Sequence, residues 1–279
     1  MNTMTYQRIA VERLTPHIGA EISGVDLSKP VDSEIIAEIR QALLDHLVVF
    51  FRDQDIDPET HKAFARQFGE LHAHPGAKLK GNTDELVRIY ADEKSKVVAG
   101  ERWHSDLSCA PLPPMGSILH MHVLPSCGGD TQFCSAYAAY DSLSDRMKVY
   151  LEGLTAHHDG TRVFSTAYVG KENADKVVYP KADHPVIIRH PETGRKLLYV
   201  NPEYTIKINE LSDDESLSVL NFLYGRIGLP QHSVRFRWRK HSIAFWDNLS
   251  SQHVAVWDYF PETRLGLRAQ VKGVSAPAA

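Results

Sequence analysis

Apolar side chains recur three and four positions apart in three stretches of the chain, each bracketed by residues that start and stop helices. Ile35, Ile36, Ile39, Ala42 and Leu43 share one side of a helix opened by Ser33, which runs into the apolar strand 47–51. Asp57 and Pro58 supply a cap and a preset first turn for a second helix, with Phe64 and Phe68 inward and Gly69 as its stop. Ser212 and Glu215 form a capping box for the third, whose stripe is Leu217, Leu220, Tyr224 and Ile227 and whose end is marked by Gly228 and Pro230. A shorter helix is expected after Ser144, burying Met147, Tyr150, Leu151 and Leu154. Elsewhere the apolar residues come in short or alternating runs. These predict strands at 86–90, 117–123, 186–190, 196–200, 234–238, 242–246, 252–256 and 265–271, separated by turns such as Pro191-Glu-Thr-Gly194.

Many short strands with a few helices predict a mainly β fold, a sandwich or jelly roll with peripheral helices. The capped third helix would sit in an insertion, 201–230, between strands. No repeat, low-complexity run or Gly/Ser linker interrupts the chain. A single domain over 1–279 is expected, with an ordered core over 6–273 and a frayed tail, Ser275-Ala-Pro-Ala-Ala279.

Composition narrows the function. Hydrophobic residues make up 43%, too much for a disordered chain, and the net charge is −4. No basic stripe invites nucleic acid, and no apolar run approaches the roughly 20 residues of a membrane span. Residues 1–11 are polar and lack the apolar core of a signal peptide, so a cytoplasmic location is expected. Cys109, Cys127 and Cys134 are odd in number and unpaired in spacing, which reads as reduced thiols packed as small hydrophobes. The 15 histidines are numerous enough for some to be metal ligands.

The sharpest local feature is Trp103-His-Ser-Asp-Leu-Ser108. An extended backbone there sends His104 and Asp106 to the same side. An imidazole beside a carboxylate offers two ligands to a divalent transition metal, although His-x-Asp alone more often marks a hydrogen-bonded pair. A strand cannot converge three side chains at this spacing, so a third ligand must come from elsewhere. His253, 149 residues after His104 and near the start of a late strand, is the candidate. Two histidines and a carboxylate are the facial triad of non-haem Fe(II) oxygenases, and zinc catalysis uses the same ligands.

Arg264 and Arg268 are four residues apart and would share a strand face. Two inward guanidinium groups are costly unless anions meet them, and their planar fork fits a carboxylate. Two solvated arginines on an edge strand fit the spacing equally well. The turn Gly128-Gly-Asp-Thr-Gln-Phe133 leads into a strand. Its Thr131 hydroxyl either hydrogen-bonds the same carboxylate or belongs to a β-branched strand opener.

In this order and spacing the pieces resemble the TauD/TfdA family, the taurine and aryloxyalkanoate dioxygenases that depend on Fe(II) and 2-oxoglutarate. The likeness covers nearly the whole chain. It begins at Ile18-Gly-Ala-Glu-Ile-Ser-Gly-Val-Asp-Leu27, Val48-Val-Phe-Phe-Arg-Asp-Gln54 and Phe68-Gly-Glu-Leu-His72. It continues through Trp103-His-Ser-Asp106, Gly128-Gly-Asp-Thr131, His190-Pro-Glu-Thr-Gly-Arg195, Trp246-Asp-Asn248, His253 and the paired arginines. The resemblance implies a double-stranded β-helix, the cupin-like jelly roll, with the metal in its mouth. It implies that His104, Asp106 and His253 bind Fe(II), and that Arg264 and Thr131 meet the far carboxylate of 2-oxoglutarate. With O2, the cosubstrate would be decarboxylated to succinate and CO2 while a small organic anion is hydroxylated beside a heteroatom. Family members are commonly dimers or tetramers, so a homo-oligomer is expected.

His74 and Arg268 match the positions that hold the sulfonate in taurine dioxygenases. Other positions depart from those enzymes. Pro75-Gly-Ala-Lys78 lacks a nearby tyrosine, Val98-Ala-Gly-Glu-Arg102 lacks the asparagine expected at the amine end, and Val163 stands where a serine would contact taurine. Phe164 keeps an aromatic wall. Missing partners for an ammonium group argue against taurine itself. The run from Gly128 to Tyr140, and Thr161-Arg-Val-Phe164, are closer to the aryloxyalkanoate enzymes. An aryloxyalkanoate-like or other carboxylate is therefore the first expectation. A taurine, alkylsulfonate or alkyl sulfate dioxygenase, releasing sulfite or sulfate, is the second, and a non-catalytic metal-binding jelly-roll sensor the third.

Overall fold

A computed structural model describes residues 6–73, 84–98, 100–165 and 178–279. Strands β1 (Ala10–Arg13) and β2 (Ala20–Ser23) lead into helix α1 (Ser33–His46), strand β3 (Val48–Phe51) and helix α2 (Pro58–Arg66). Strands β4 (Leu86–Ala91), β5 (Gly116–Val123) and β6 (Thr131–Ser135) precede helices α3 (Ala136–Asp141) and α4 (Asp145–Leu151). Next come β7 (Thr155–Asp159), the one-turn α5 (Thr161–Phe164), β8 (Lys181–Pro185), β9 (Ile187–Arg189), β10 (Lys196–Leu198) and β11 (Thr205–Ile208). Helix α6 (Asp213–Tyr224) is followed by β12 (Ser233–Phe236), β13 (Ile243–Asp247), β14 (Ser251–Ala255) and β15 (Arg264–Val271).

The protein is mainly β with peripheral helices. One sheet runs β1-β2-β3-β13-β5-β15-β4 and a smaller one β12-β6-β14; β11-β7-β8 and the pair β10-β9 complete the described strands. Alternation along the central strands explains the layering. Ile118, Ile243, Phe245, Ala269 and Val271 face the layer that holds Ile39, Leu43 and Phe64 of α1 and α2. The intervening Leu119, Met121, Ala244 and Trp246 face the opposite way, against Phe133, Val234 and Phe236 of the small sheet. On β15, Arg264 and Arg268 take the second set of positions, so both guanidinium groups point between the two sheets.

Several sequence-based details are corrected. Helix α1 begins at Ser33 as expected, but its cap is the residue before, Asp32, whose carboxylate accepts from the Ile35 N–H at 2.9 Å. Leu217 is 61% exposed and Tyr150 45%; the inward positions are Leu220 and Leu223 on α6 and Leu151 on α4. Both helices end sooner than the apolar stripe, yet its last members still pack on the core: Ile227 is buried, and Tyr224 and Leu154 lie partly buried against the same cluster. The 201–230 stretch carries α6 but also the strand β11, paired with β7. The tail is not frayed: the Arg189 N–H donates to the Ala278 carbonyl at 2.8 Å and Pro277 is buried. Strands β7, β8 and β11 escaped the sequence reading because their residues, such as Thr155-Ala-His-His-Asp159, hold too few apolar side chains. All three cysteines are free thiols; Cys109 and Cys134 are buried, burial pushing the Cys109 thiol up to about 12, but Cys127 is exposed on the turn before β6 rather than packed as a hydrophobe.

Buried histidines outside the triad make stability depend on pH. Burial pushes His61 down to about 4, His120 to about 3 and His158 to about 3. The unfolded chain protonates these rings near pH 6.5, before the folded one does. Their contribution is therefore intact above pH 6.5 and is lost progressively as the pH falls toward 4–3, at about 1.4 kcal/mol per unit of displacement. Urea unfolding at pH 7.5 and pH 5 is expected to show a loss of more than about 2 kcal/mol on acidification. Equal stability at both would contradict neutral burial.

Candidate active site

The backbone brings two distant histidines together. The His104 N–H donates to the His253 carbonyl at 3.0 Å, and the His253 N–H returns a bond to the His104 carbonyl at 2.8 Å. This antiparallel rung sets their ring centroids 4.1 Å apart. Extended geometry then aims Asp106 at the same space, with its Oδ1 3.7 Å from His104 Nε2. Leu107 follows with φ +52°, a left-handed turn that ends the segment. One potential ligand atom from each of His104, Asp106 and His253 lies within 4.8 Å of the others, and all three residues are buried.

Protonation states suit a metal. His104 Nδ1 lies 2.8 Å from the Arg102 carbonyl, to which it donates, and this turns Nε2 toward the shared space as the potential ligand atom. Burial first, then the neighbouring His104, hold His253 well below the usual imidazole range and therefore neutral. For Asp106, burial opposes the charge, but Arg268 foremost, the two histidines and Ser117 together hold the carboxyl well below the usual carboxylate range. Ser117 Oγ donates to Asp106 Oδ2 at 2.7 Å and accepts from Asn248 Nδ2 at 3.1 Å and Gln270 Nε2 at 3.3 Å. Two imidazoles and one ionised carboxylate fit a divalent transition metal.

The arginines differ from each other. Arg264 is 4% exposed and has no acidic partner among the described residues. Its Nε donates to the Gly129 carbonyl at 3.1 Å, and Nη2 lies 3.5 Å from Thr131 Oγ1, which also accepts from Trp238 Nε1 at 3.0 Å. Burial pulls its pKa down. A buried cation left this way is expensive, and the arrangement has the chemistry of an anion receptor. Gly129 makes room for it: φ is +70°, and a side chain there would press on Arg264 Cδ at 3.3 Å. Arg268 is already engaged, Nη1 donating to Asp106 Oδ1 at 2.8 Å, while its Nε is buried without a partner. The edge-strand alternative for the pair is excluded, since β15 lies between β5 and β4.

A single cavity joins the triad, Thr131, Arg264 and Arg268. Its other walls are Ile89, Leu119, Val163, Tyr204, Trp246 and Ala255, with Gly100 at one side. Val163 is thus brought to the site, whereas Phe164 is fully buried behind it with Leu107, Cys109 and Tyr204. Adjacent residues of one helical turn point about 100° apart, so α5 presents only the valine; the aromatic walls are Tyr204 and Trp246. His74 and residues 75–78 lie outside the described residues. Sequence reasoning missed Tyr204, Ile89, Leu119 and Ser117. Nothing in a strand or turn pattern marks which of its inward positions borders a ligand.

The family description "Taurine catabolism dioxygenase TauD, TfdA family" matches residues 10–270. An alkylsulfatase of Acinetobacter baylyi is 33% identical over 96% of this chain and 86% of its own. The crystal structure of a putative alpha-ketoglutarate-dependent taurine dioxygenase from Burkholderia xenovorans superposes with a TM-score of 0.83, at 37% identity, over 96% of this chain and 94% of that one. AAD-2, solved with Mn(II) and N-oxalylglycine, gives 0.82 at 28% identity, over 97% and 99%.

Proposed function

The chain belongs to the TauD/TfdA family and is a 2-oxoglutarate-dependent non-haem iron dioxygenase, and on that premise we propose that it hydroxylates an apolar-bodied organic anion beside a heteroatom. The fold we assign is the double-stranded β-helix, built from the seven-stranded sheet and β12-β6-β14 around the cavity. His104, Asp106 and His253 would hold Fe(II). Arg264 and Thr131 would receive the far carboxylate of 2-oxoglutarate. N-oxalylglycine, bound in AAD-2, differs from this keto acid only by N–H in place of a methylene, which supports that use of the cavity.

Bound iron with 2-oxoglutarate and O2 supplies the oxidising power; the protein supplies geometry and charge. The rung between His104 and His253 fixes two donors, and Ser117 with Arg268 orients the carboxylate that would be the third. Arg264 neutralises the cosubstrate where water is scarce. The substrate's charged end is assigned to Arg268, whose buried Nε still lacks a partner. Its body would lie against Val163, Tyr204 and Ile89.

The observation that carries this reading is the cavity's lining. Among the described residues it has one acidic group, Asp106, and that group is committed to Arg268 and the histidines. An ammonium end, as in taurine, would find no counter-charge there. The head group is read as a sulfonate or sulfate ester, on the strength of the alkylsulfatase relative and the taurine dioxygenase structure. This shifts the first expectation from a carboxylate toward a sulfur oxyanion. An aryloxyalkanoate remains the second reading, because Tyr204 offers an aromatic face.

Succinate formation with iron, ascorbate and a panel of alkyl sulfates, alkylsulfonates, aryloxypropionates and taurine tests it. Alkyl sulfates or alkylsulfonates should exceed taurine by at least about tenfold in kcat/KM, given what a missing polar partner costs. Taurine as the best substrate would overturn the assignment. Arg268→Ala should raise KM for the preferred anion by at least about 30-fold, as expected when one member of a buried charge pair is removed. An unchanged KM would take Arg268 out of the substrate's path.

A further inference from the structure

Behind the metal triad lies a buried pair that the chemistry above does not use. His190 and Asp247 are 2% and 1% exposed, with His190 Nε2 3.1 Å from Asp247 Oδ2. His190 Nδ1 accepts from the Glu192 and Thr193 N–H groups at 3.2 and 3.3 Å. The ring proton is therefore on Nε2, and the bond runs from imidazole to carboxylate. The other oxygen, Asp247 Oδ1, accepts from the Leu249 N–H (2.9 Å), the Ser250 N–H (2.8 Å) and Ser250 Oγ (2.9 Å). One carboxylate thus shapes the turn 247–250, with His190 closing its open side.

That turn touches both halves of the triad. Its Asn248 donates to Ser117, which donates in turn to Asp106. The Asn248 carbonyl accepts from Ser105 Oγ, midway between His104 and Asp106. Ser251 Oγ donates to the Asp247 carbonyl at 2.6 Å, two residues before His253 on β14. We infer that the His190–Asp247 pair is a positioning element for the iron site. It fixes a turn that, beside the backbone rung between His104 and His253, ties the Asp106 branch to the start of the His253 strand. The inference rests on the triad being the iron site.

The test compares His190→Leu, which removes the donor, with His190→Gln, whose Nε2 occupies the place of the imidazole Nε2. Fe(II) is titrated anaerobically into each holo-competent protein with saturating 2-oxoglutarate, and the charge-transfer absorption is followed. Circular dichroism at the same temperature verifies folding. His190→Leu should weaken Fe(II) about tenfold or more, and His190→Gln should recover to within about threefold of the parent. Turnover should also uncouple in His190→Leu, with succinate exceeding hydroxylated product. A role in stability alone would lower the melting temperature and leave iron affinity intact, and that result overturns the inference. So does a His190→Gln variant as impaired as His190→Leu. Should His190→Leu not fold, Asp247→Asn takes its place: it keeps shape and the Oδ1 acceptor but turns a donor toward His190 Nε2. An unchanged affinity there, or failure of both variants to fold, counts against a role specific to iron. Absence of the absorption band in the parent protein would instead sink the proposed function.

Discussion

His104→Ala is expected to yield a folded protein with no iron-dependent turnover. The fold is expected to survive because the contact between residues 104 and 253 is made by backbone groups, which alanine retains. The Nε2 donor, however, has no substitute nearby, and a pair of ligands cannot hold the metal as three do. Even partners one shell out from a metal cost about 10–100-fold in affinity or activity when removed. Losing a donor outright should therefore exceed about 100-fold in Fe(II) affinity, read by anaerobic titration, with succinate release falling to background. Full activity in this variant would remove His104 from the metal shell and with it the ligand set.

Arg264→Leu has the second largest expected effect, and it separates two quantities. The 2-oxoglutarate requirement should rise by about 30-fold or more, the equivalent of about 2–5 kcal/mol for truncating one side of a buried charged contact. The requirement for the primary substrate should change little, since Arg264 faces Thr131 and Trp238 at the far end of the cavity. Four residues of extended strand place Arg264 and Arg268 roughly 13 Å apart along β15. Stability should move the other way. Without the keto acid, Arg264 is a buried cation that donates only to the neutral Gly129 carbonyl and Thr131 hydroxyl, with Asp130 acting on it without a direct bond, so leucine should raise the melting temperature of the ligand-free protein. Equal effects on both ligands would refute the division of labour between the two arginines.

Much of the fold was legible because helix ends and strand alternation are local signals. Asp57-Pro58 and the Ser212/Glu215 box mark α2 and α6 by the chemistry of unsatisfied N–H groups, whatever packs against them. The inward pair on β15 was predictable from an even spacing, though burial itself was not, because an edge strand has the same spacing. Leu217 and Tyr150 were misread for a related reason: periodicity says which residues share a side, not whether that side meets the core. The site divided along the same line. His104 and Asp106 are two apart and were found together, and His253 required the family's ordered motifs as well. Tyr204 and Ser117 owe their places to tertiary pairing alone, which no window along the chain can display.

The rung joining residues 104 and 253 has a consequence for synthesis. A ribosome must translate nine-tenths of the sequence before the second histidine exists, and β14 must then find β6 and the 104 segment. A nascent or prematurely terminated product lacking that strand has at most two of the proposed donors. With the proposed ligand set, oxygen-activating capacity would thus be withheld until β14 has been made and paired, and a fragment released before residue 253 would hold no competent iron.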